Sequence, residues 1–421
     1  MTISVDIENH IDSAEPLLRA HAFDTVVVNT DAAFRDLRDE WSELLQASTS
    51  NNFFLTWEWL YTWWKHLRGN RQLHIVTVRH EGRLVALAPL ALKPAQWSRL
   101  MPFEMLEFLG CGNVGSDYLS LIVRRGFEGT ALPALIARLQ ESGYVLELSH
   151  VDRTSEQMTA AAAELRSQGW REQSVTVERC PHIMIEGHDW ESFLGTLGRT
   201  HRTNFRRKLK KLNQLYTLRI DEATTDAERR ASLDILVNLH LKRRQELDGS
   251  DALHTPELLA FHDEATAIAL ERGWLKLHVM WLDDKPAAAM YGFEYGDVFY
   301  FYQSGFDSAY ATYSVGLVMT GLGVQMAIER GLRDFDFLHG EEPYKYLWAS
   351  AERELLRFHF FPPQARGALF ERTMRLRRGT LNLLTRWRPA RYGARPSTAT
   401  RPTAPEWSTT DRRDAETDNA T

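Results

Sequence analysis

The sequence predicts an α+β protein built from two similar halves, and three observations point there. Apolar residues alternate with period two in some stretches and recur at helical spacing in others, along most of the chain. The order helix pair, antiparallel meander, helix, strand occurs once in about residues 22–180 and again in 181–363; no residue-level match is visible, so the repeat is topological. The 421 residues, 44% hydrophobic and 25% charged, are ordinary for a soluble chain with length for two or three domains.

The elements follow in chain order. Residues 1–21 read as loosely ordered. "TVVVN" (25–29) is a strand, and "DAAFRDLRDEWSELLQA" a helix capped by Asp31. "TWEWLYTWWKHL" is a second helix, capped by Thr56, with Trp57, Tyr61 and Trp64 on one face. That face docks the helix on its sheet; a sugar-stacking platform is the alternative. "LHIVTVRH", the turn "EGR" and "LVALAPLAL" form a hairpin. "MLEFLG", "YLSLIV", a helix near 126–141, "YVLELSHV", a helix near 154–168 and the strand "SVTVERC" complete the first half.

The second half opens with the strand "HIMIE" and a helix pair, or one broken helix, over "DWESFLGTLGRTHRTNFRRKLKKLNQ". After "YTLRI" come helices at about 226–247 and 256–272. "WLKLHVMWL", "AAAMYGFEY" and "VFYFYQSGF", joined by "DDKP" and "GD", form a three-stranded meander. A helix starts at Ser314, "RDFDFL" is a strand, a short helix lies near Tyr344–Trp348, and "LLRFHFF" is the last strand. Residues 364–391 read as an Arg-rich helix, with eight Arg and one Glu in 366–391, and 392–421, with almost nothing apolar, as a disordered tail.

Several function classes are excluded or disfavoured. The net charge of -6 argues against a dedicated nucleic-acid binder. Cys111 and Cys180 have neither CxxC nor metal-site spacing and read as reduced residues of a cytoplasmic protein; no metal is expected. No secretory signal pattern and no spanning apolar stretch is present. P-loop, GxGxxG, HExxH and GxSxG motifs are absent.

What remains lies in the second half. A helix opening at "YSVGLVM" presents free N–H groups and a positive dipole end, able to hold phosphate, with Gly316 in its first turn. The alternative is a plain Ser-capped helix with a packing glycine. The segment "YFYQSGFDSAYATYSVGLVMTGLGVQMAIERGLRDFDFLHGEEPYKYLWA" resembles the CelD-like (BioF2-like) branch of the GNAT acyltransferases. So do "FFLTWEWLYTWWKHL", "RTHRTNFRRKLKKL" and "LVNLHLKRRQELDG". That branch is related to the Fem-type aminoacyl transferases and associated with cellulose or exopolysaccharide production.

The resemblance implies a tandem GNAT-like fold and acetyl-CoA or another acyl-CoA as donor. It places the pyrophosphate turn at Tyr313, Ser314, Val315, Gly316 and Leu317, although Val315 stands where the branch has proline and the basic-Gly-Gly pattern is missing. It implies carbonyl polarisation by backbone N–H near Gln303, Ser304 and Gly305, and a base at Glu341 or Glu342, with Glu342 matching the family's glutamate. Tyr344 is the candidate acid, and Lys345 an anion contact or a partner that sets the glutamate's charge. The alternative is a plain Glu342–Lys345 surface pair. His339 and Asp336 are weaker candidates.

The run "RTHRTNFRRKLKK" has seven Lys or Arg and no acid, so Arg202 and Arg206 are candidate substrate contacts, as is His240 from "LHLKRRQE". Asp117, beside Tyr118, is expected to line an acceptor groove between the halves. The resulting expectation is a cytoplasmic acyltransferase acting on an amine or hydroxyl acceptor, a sugar or sugar nucleotide among them. Nucleic acid enters only as aminoacyl-tRNA, if the donor is Fem-like. A catalytically silent GNAT-like module is the third reading. Residues 366–391 are a candidate contact with an anionic membrane surface.

Overall fold

A computed structural model describes residues 23–93, 104–246 and 253–363, with positions 367 and 372 in isolation. The Arg-rich segment, the two termini and any membrane contact made through 366–391 therefore lie outside the described residues, those two positions apart. Among the described residues, no helix is long and apolar enough to cross a membrane.

An eleven-stranded sheet forms the spine. Its spatial order is Leu218–Glu222, Leu275–Leu282, Lys285–Tyr295, Val298–Phe306, Asp334–Asp336, Arg171–Met184, Ala351–Phe361, Val145–Asp152, Met105–Phe108, Leu90–Lys93 and Gln72–Leu73. Two pairings in it are parallel, Val298–Phe306 with Asp334–Asp336 and Met105–Phe108 with Val145–Asp152. A separate four-stranded sheet contains Asp24–Val28, Ile75–His80, Arg83–Ala88 and Ile122–Val123.

The α+β expectation holds, with local corrections. "SVTVERC" and "HIMIE" are one strand, Arg171–Met184, running through position 180. It pairs with Asp334–Asp336 over its last residues and with Ala351–Phe361 over Arg171–His182. The last strand is thereby inserted between Arg171–Met184 and Val145–Asp152. "LVALAPLAL" is two strands in two sheets, because Pro89 has no N–H with which to continue a ladder. The first helix is capped by Thr30, whose Oγ1 accepts from the Ala33 N–H at 3.3 Å, rather than by Asp31. It breaks at Leu37 into Asp31–Asp36 and Arg38–Gln46.

The Trp-rich helix, Trp57–Leu67, is capped by Thr56 as expected and is core. Trp57 stacks on Tyr61 at 4.4 Å, and Trp59 meets Phe261 edge-on at 4.9 Å. Phe53 stacks on Phe293 at 3.9 Å. Aromatic side chains of the first half are thus packed against helix and meander residues of the second, each pair adding about 1 kcal/mol to its burial.

Candidate functional site

Val298–Phe306 and Asp334–Asp336 pair in parallel only at Val298–Asp334, Phe299–Phe335 and Tyr300–Asp336. Beyond that point they separate, and both sides show why. On the meander strand the register jumps from Gly292–Phe301 to Tyr291–Gln303, leaving Tyr302 as the extra residue of a bulge. On the other strand Leu338 takes a left-handed conformation, φ 56°, uncommon for a residue with a Cβ and found where surroundings enforce it. Its N–H donates to Asp336 Oδ1 at 2.8 Å. The chain then follows Arg171–Met184 instead, with N–H bonds from Phe337 to Pro181 O and from Gly340 to Arg179 O.

The gap holds a cavity of about 240 Å³. Phe301, Tyr302 and Gln303 form one wall; Phe337 to Gly340 with Glu342, Tyr344 and Lys345 form the other; Asn113 to Gly115 of the first half close it. The Tyr302 hydroxyl donates to Val114 O, tying the first half to the bulge. A larger cavity of about 550 Å³ lies between the halves, lined by hydroxyl, carboxamide and charged side chains, Tyr118, Asp336 and Arg353 among them.

Within the cleft, Lys345 is buried at 4% exposure. Its ammonium donates to His339 O at 2.7 Å and Leu338 O at 3.4 Å and meets Glu342 Oε2 at 3.0 Å. Three acceptors match its three protons. The ammonium therefore clamps the turn that carries Gly340, whose φ of 114° suits glycine. The Glu342 side chain is 55% exposed. Glu341 points away, 3.4 Å from Arg179 Nε. Tyr344 meets Phe337 edge-on at 6.5 Å. The Ser304 N–H, expected to polarise a carbonyl, donates to its neighbour Gln303 Oε1 at 3.1 Å. A Cβ on Gly305 would lie 3.1 Å from Leu239 Cβ and 3.3 Å from the backbone N of buried His240, so these two expected residues mark where Asp226–Glu246 packs on the strand.

His339, a weaker candidate from the sequence, has the most specific polar environment of the cleft. Its Nδ1 lies 3.0 Å from both Asp117 oxygens, and its backbone N–H donates to Asp117 Oδ2 at 2.9 Å. Asp117 is wholly buried; burial pushes its carboxyl up, but His339 outweighs this and holds it below the usual range. The Asp117 charge in turn raises His339 to about 9, against the opposing effect of burial. Glycine at 115 makes room: a Cβ there would sit 2.8 Å from His339 Cε1. Asp117 thus meets the imidazole rather than opening onto a groove. The two residues stand 222 apart in the chain, and no spacing rule could have paired them.

The helix after the cleft spans Val315–Glu329. Ser314 precedes it with φ 56° and provides no side-chain cap for the first-turn N–H groups of Val315, Gly316 and Leu317. Gly316 packs toward Phe306, 3.2 Å from where a Cβ would stand. The helix Arg199–Leu215 brings cations alongside: Lys208 Nζ donates to Thr312 O at 2.6 Å, and Lys211 Nζ lies 5.4 Å from the Tyr313 ring centre. Arg202 caps Leu194 O at 3.2 Å, and Arg206 meets Glu191 at 2.5 Å, so both serve the preceding helix in this structure.

The site thus combines an antiparallel meander, a parallel pair that splays, and a following helix whose first turn has no side-chain cap. Residues 199–346 match the family model of an acetyltransferase (GNAT) domain. The chain is similar in fold to the crystal structure of FemX, at 11% identity and a TM-score of 0.57, covering 83% of this chain and 99% of that one. A conserved protein of unknown function from Bacteroides thetaiotaomicron VPI-5482 aligns at 12% identity and a TM-score of 0.49, covering 80% and 99%. A tandem GNAT protein from the clavulanic acid biosynthesis pathway aligns at 12% identity and a TM-score of 0.43, covering 80% and 98%. No curated protein sequence matches significantly.

Proposed function

We propose that this protein transfers an acyl group from acyl-CoA to an amine or hydroxyl acceptor. The observation that carries the reading is the splay at Tyr302 and Leu338, in a fold whose next helix, Val315–Glu329, starts without a side-chain cap. A pantetheine arm fits such a gap as an added strand-like segment. The CoA diphosphate is served by the N–H groups of Val315 to Leu317, the dipole and the ammoniums of Lys208 and Lys211. The thioester carbonyl then reaches the edge at Gln303–Gly305, where the Ser304 N–H polarises it once released from Gln303. Glu342, exposed at the rim, receives the acceptor's proton directly or through water, and Lys345 holds the turn that carries it. A sugar or sugar nucleotide for exopolysaccharide or cellulose is the acceptor class implied by the CelD-like resemblance. Calorimetric titration with acetyl-CoA tests the donor: saturable heat is expected, and its absence in folded protein overturns the reading.

A second reading, a Fem-like aminoacyl-tRNA donor, draws on the exposed Arg199, Arg207, Lys210 and Lys211 of the basic helix. Counterion release makes tRNA binding fall steeply with salt. Reversing those four charges distinguishes the donors, because it abolishes polyanion binding and reduces acetyl-CoA binding only through Lys211. A non-catalytic module binds neither donor.

A further inference from the structure

We infer that His339 donates the proton to the departing CoA thiolate, and that Asp117, contributed by the first half, is the positioning residue that holds its imidazole for that step. This rests on the acyl-CoA reading above and adds the fate of the sulfur. The geometry is specific. Nδ1 is committed to Asp117, and the ring lines the 240 Å³ cavity with its side chain 36% exposed. That leaves Nε2 as its remaining hydrogen-bonding atom. The cavity's other wall is the Gln303 edge on which the thioester lies in the proposed function.

The groups facing His339 make it a donor rather than a base. Asp117 comes from the loop before Tyr118, Glu178 from Arg171–Met184, His150 from Val145–Asp152, and Glu342 and Lys345 from the following turn, while Cys180 faces Asp117. Asp117 and Glu178 favour the imidazolium, while Lys345 and burial oppose it. His150 is itself held low by burial, so it adds little positive charge. With the balance near 9, the ring is protonated at neutral pH and has no lone pair to accept with. An imidazolium of that acidity is matched to a thiol leaving group, whose ordinary range is about 8.5.

The step balances. The acceptor nitrogen or oxygen forms a bond to the thioester carbon, and the acceptor's proton passes to Glu342 or water. The C–S bond breaks, its electron pair goes to sulfur, and sulfur takes the Nε2 proton. Glu342 releases its proton to solvent, His339 regains one from solvent, and the products are the acylated acceptor and CoA.

The test needs no acceptor. Free CoA is bound to wild type, H339Q and D117N, and the bound thiol is titrated by its ultraviolet thiolate absorbance. In wild type the cationic ring lowers the thiol's titration by at least about one pH unit relative to free CoA. In H339Q it returns to the free value or above. D117N falls between, because its imidazole titrates lower, and this variant carries the comparison if H339Q does not fold. An unchanged titration in wild type and both variants, with CoA bound to each, overturns this inference alone. Failure of folded wild type to bind CoA or acetyl-CoA overturns the donor reading together with it.

Discussion

Replacing Lys345 by methionine removes the ammonium clamp and keeps the stem that packs beneath it. Methionine preserves most of the apolar stem's packing, while the ammonium disappears. The structure then leaves His339 O, bonded at 2.7 Å, without its donor, and Leu338 O at 3.4 Å with less to lose. A hydrogen bond to a charged group is worth about 1.5–3 kcal/mol, and a buried acceptor left unpaired costs about 1–3 kcal/mol. Those figures describe one loss from two sides and do not add, so about 2–3 kcal/mol of stability is expected to go. The Glu342 pair contributes a few tenths at most, since its carboxylate is 55% exposed. E342Q is therefore expected to cost less than about 0.5 kcal/mol. Urea unfolding followed by circular dichroism reads both, provided the m-value is unchanged. A K345M loss below about 0.5 kcal/mol, or an E342Q loss equal to it, refutes the clamp.

Three further outcomes follow. His339 titrates higher folded than unfolded, so its contribution to stability is full below about pH 6.5 and is lost as pH rises through about 9. Denaturation midpoints across that window should fall in wild type and stay flatter in H339Q; parallel curves count against the Asp117 pairing. G115A puts a Cβ 2.8 Å from His339 Cε1 at a backbone φ of 65°, and should cost about 1–3 kcal/mol and lower the imidazole titration seen by NMR. A K208A/K211A variant should weaken acetyl-CoA binding by about tenfold, with a shallower salt dependence; unchanged affinity places the diphosphate elsewhere.

Much of the fold was legible because period-two and helical patterns are local. The meander, the paired helices at 190–215 and the Thr56-capped Trp helix can all be read from the chain. Gln303, Glu342, Tyr344 and Lys345, singled out through the family resemblance, share one cavity. What escaped was non-local. Pairing His339 with Asp117 needs the first half's loop beside the second half's cleft, and no periodicity encodes that distance in sequence. The two carbonyl contacts of Lys345 depend on the left-handed Leu338 and the turn at Gly340, which composition does not announce. Arg202 and Arg206 show the converse: a basic run is visible, but their partners at Leu194 and Glu191 are not.

The insertion of Ala351–Phe361 between Val145–Asp152 and Arg171–Met184 has a consequence for the protein's birth. The first half cannot complete its sheet when residue 180 leaves the ribosome; the strand it lacks is nearly as far again along the message. At about 5–20 residues per second, the wait is roughly 9 to 36 s. During that interval Val145–Asp152 presents an unpaired edge to the cell, and such edges recruit other strands. A nascent chain of this kind has reason to engage a chaperone until its final strand arrives.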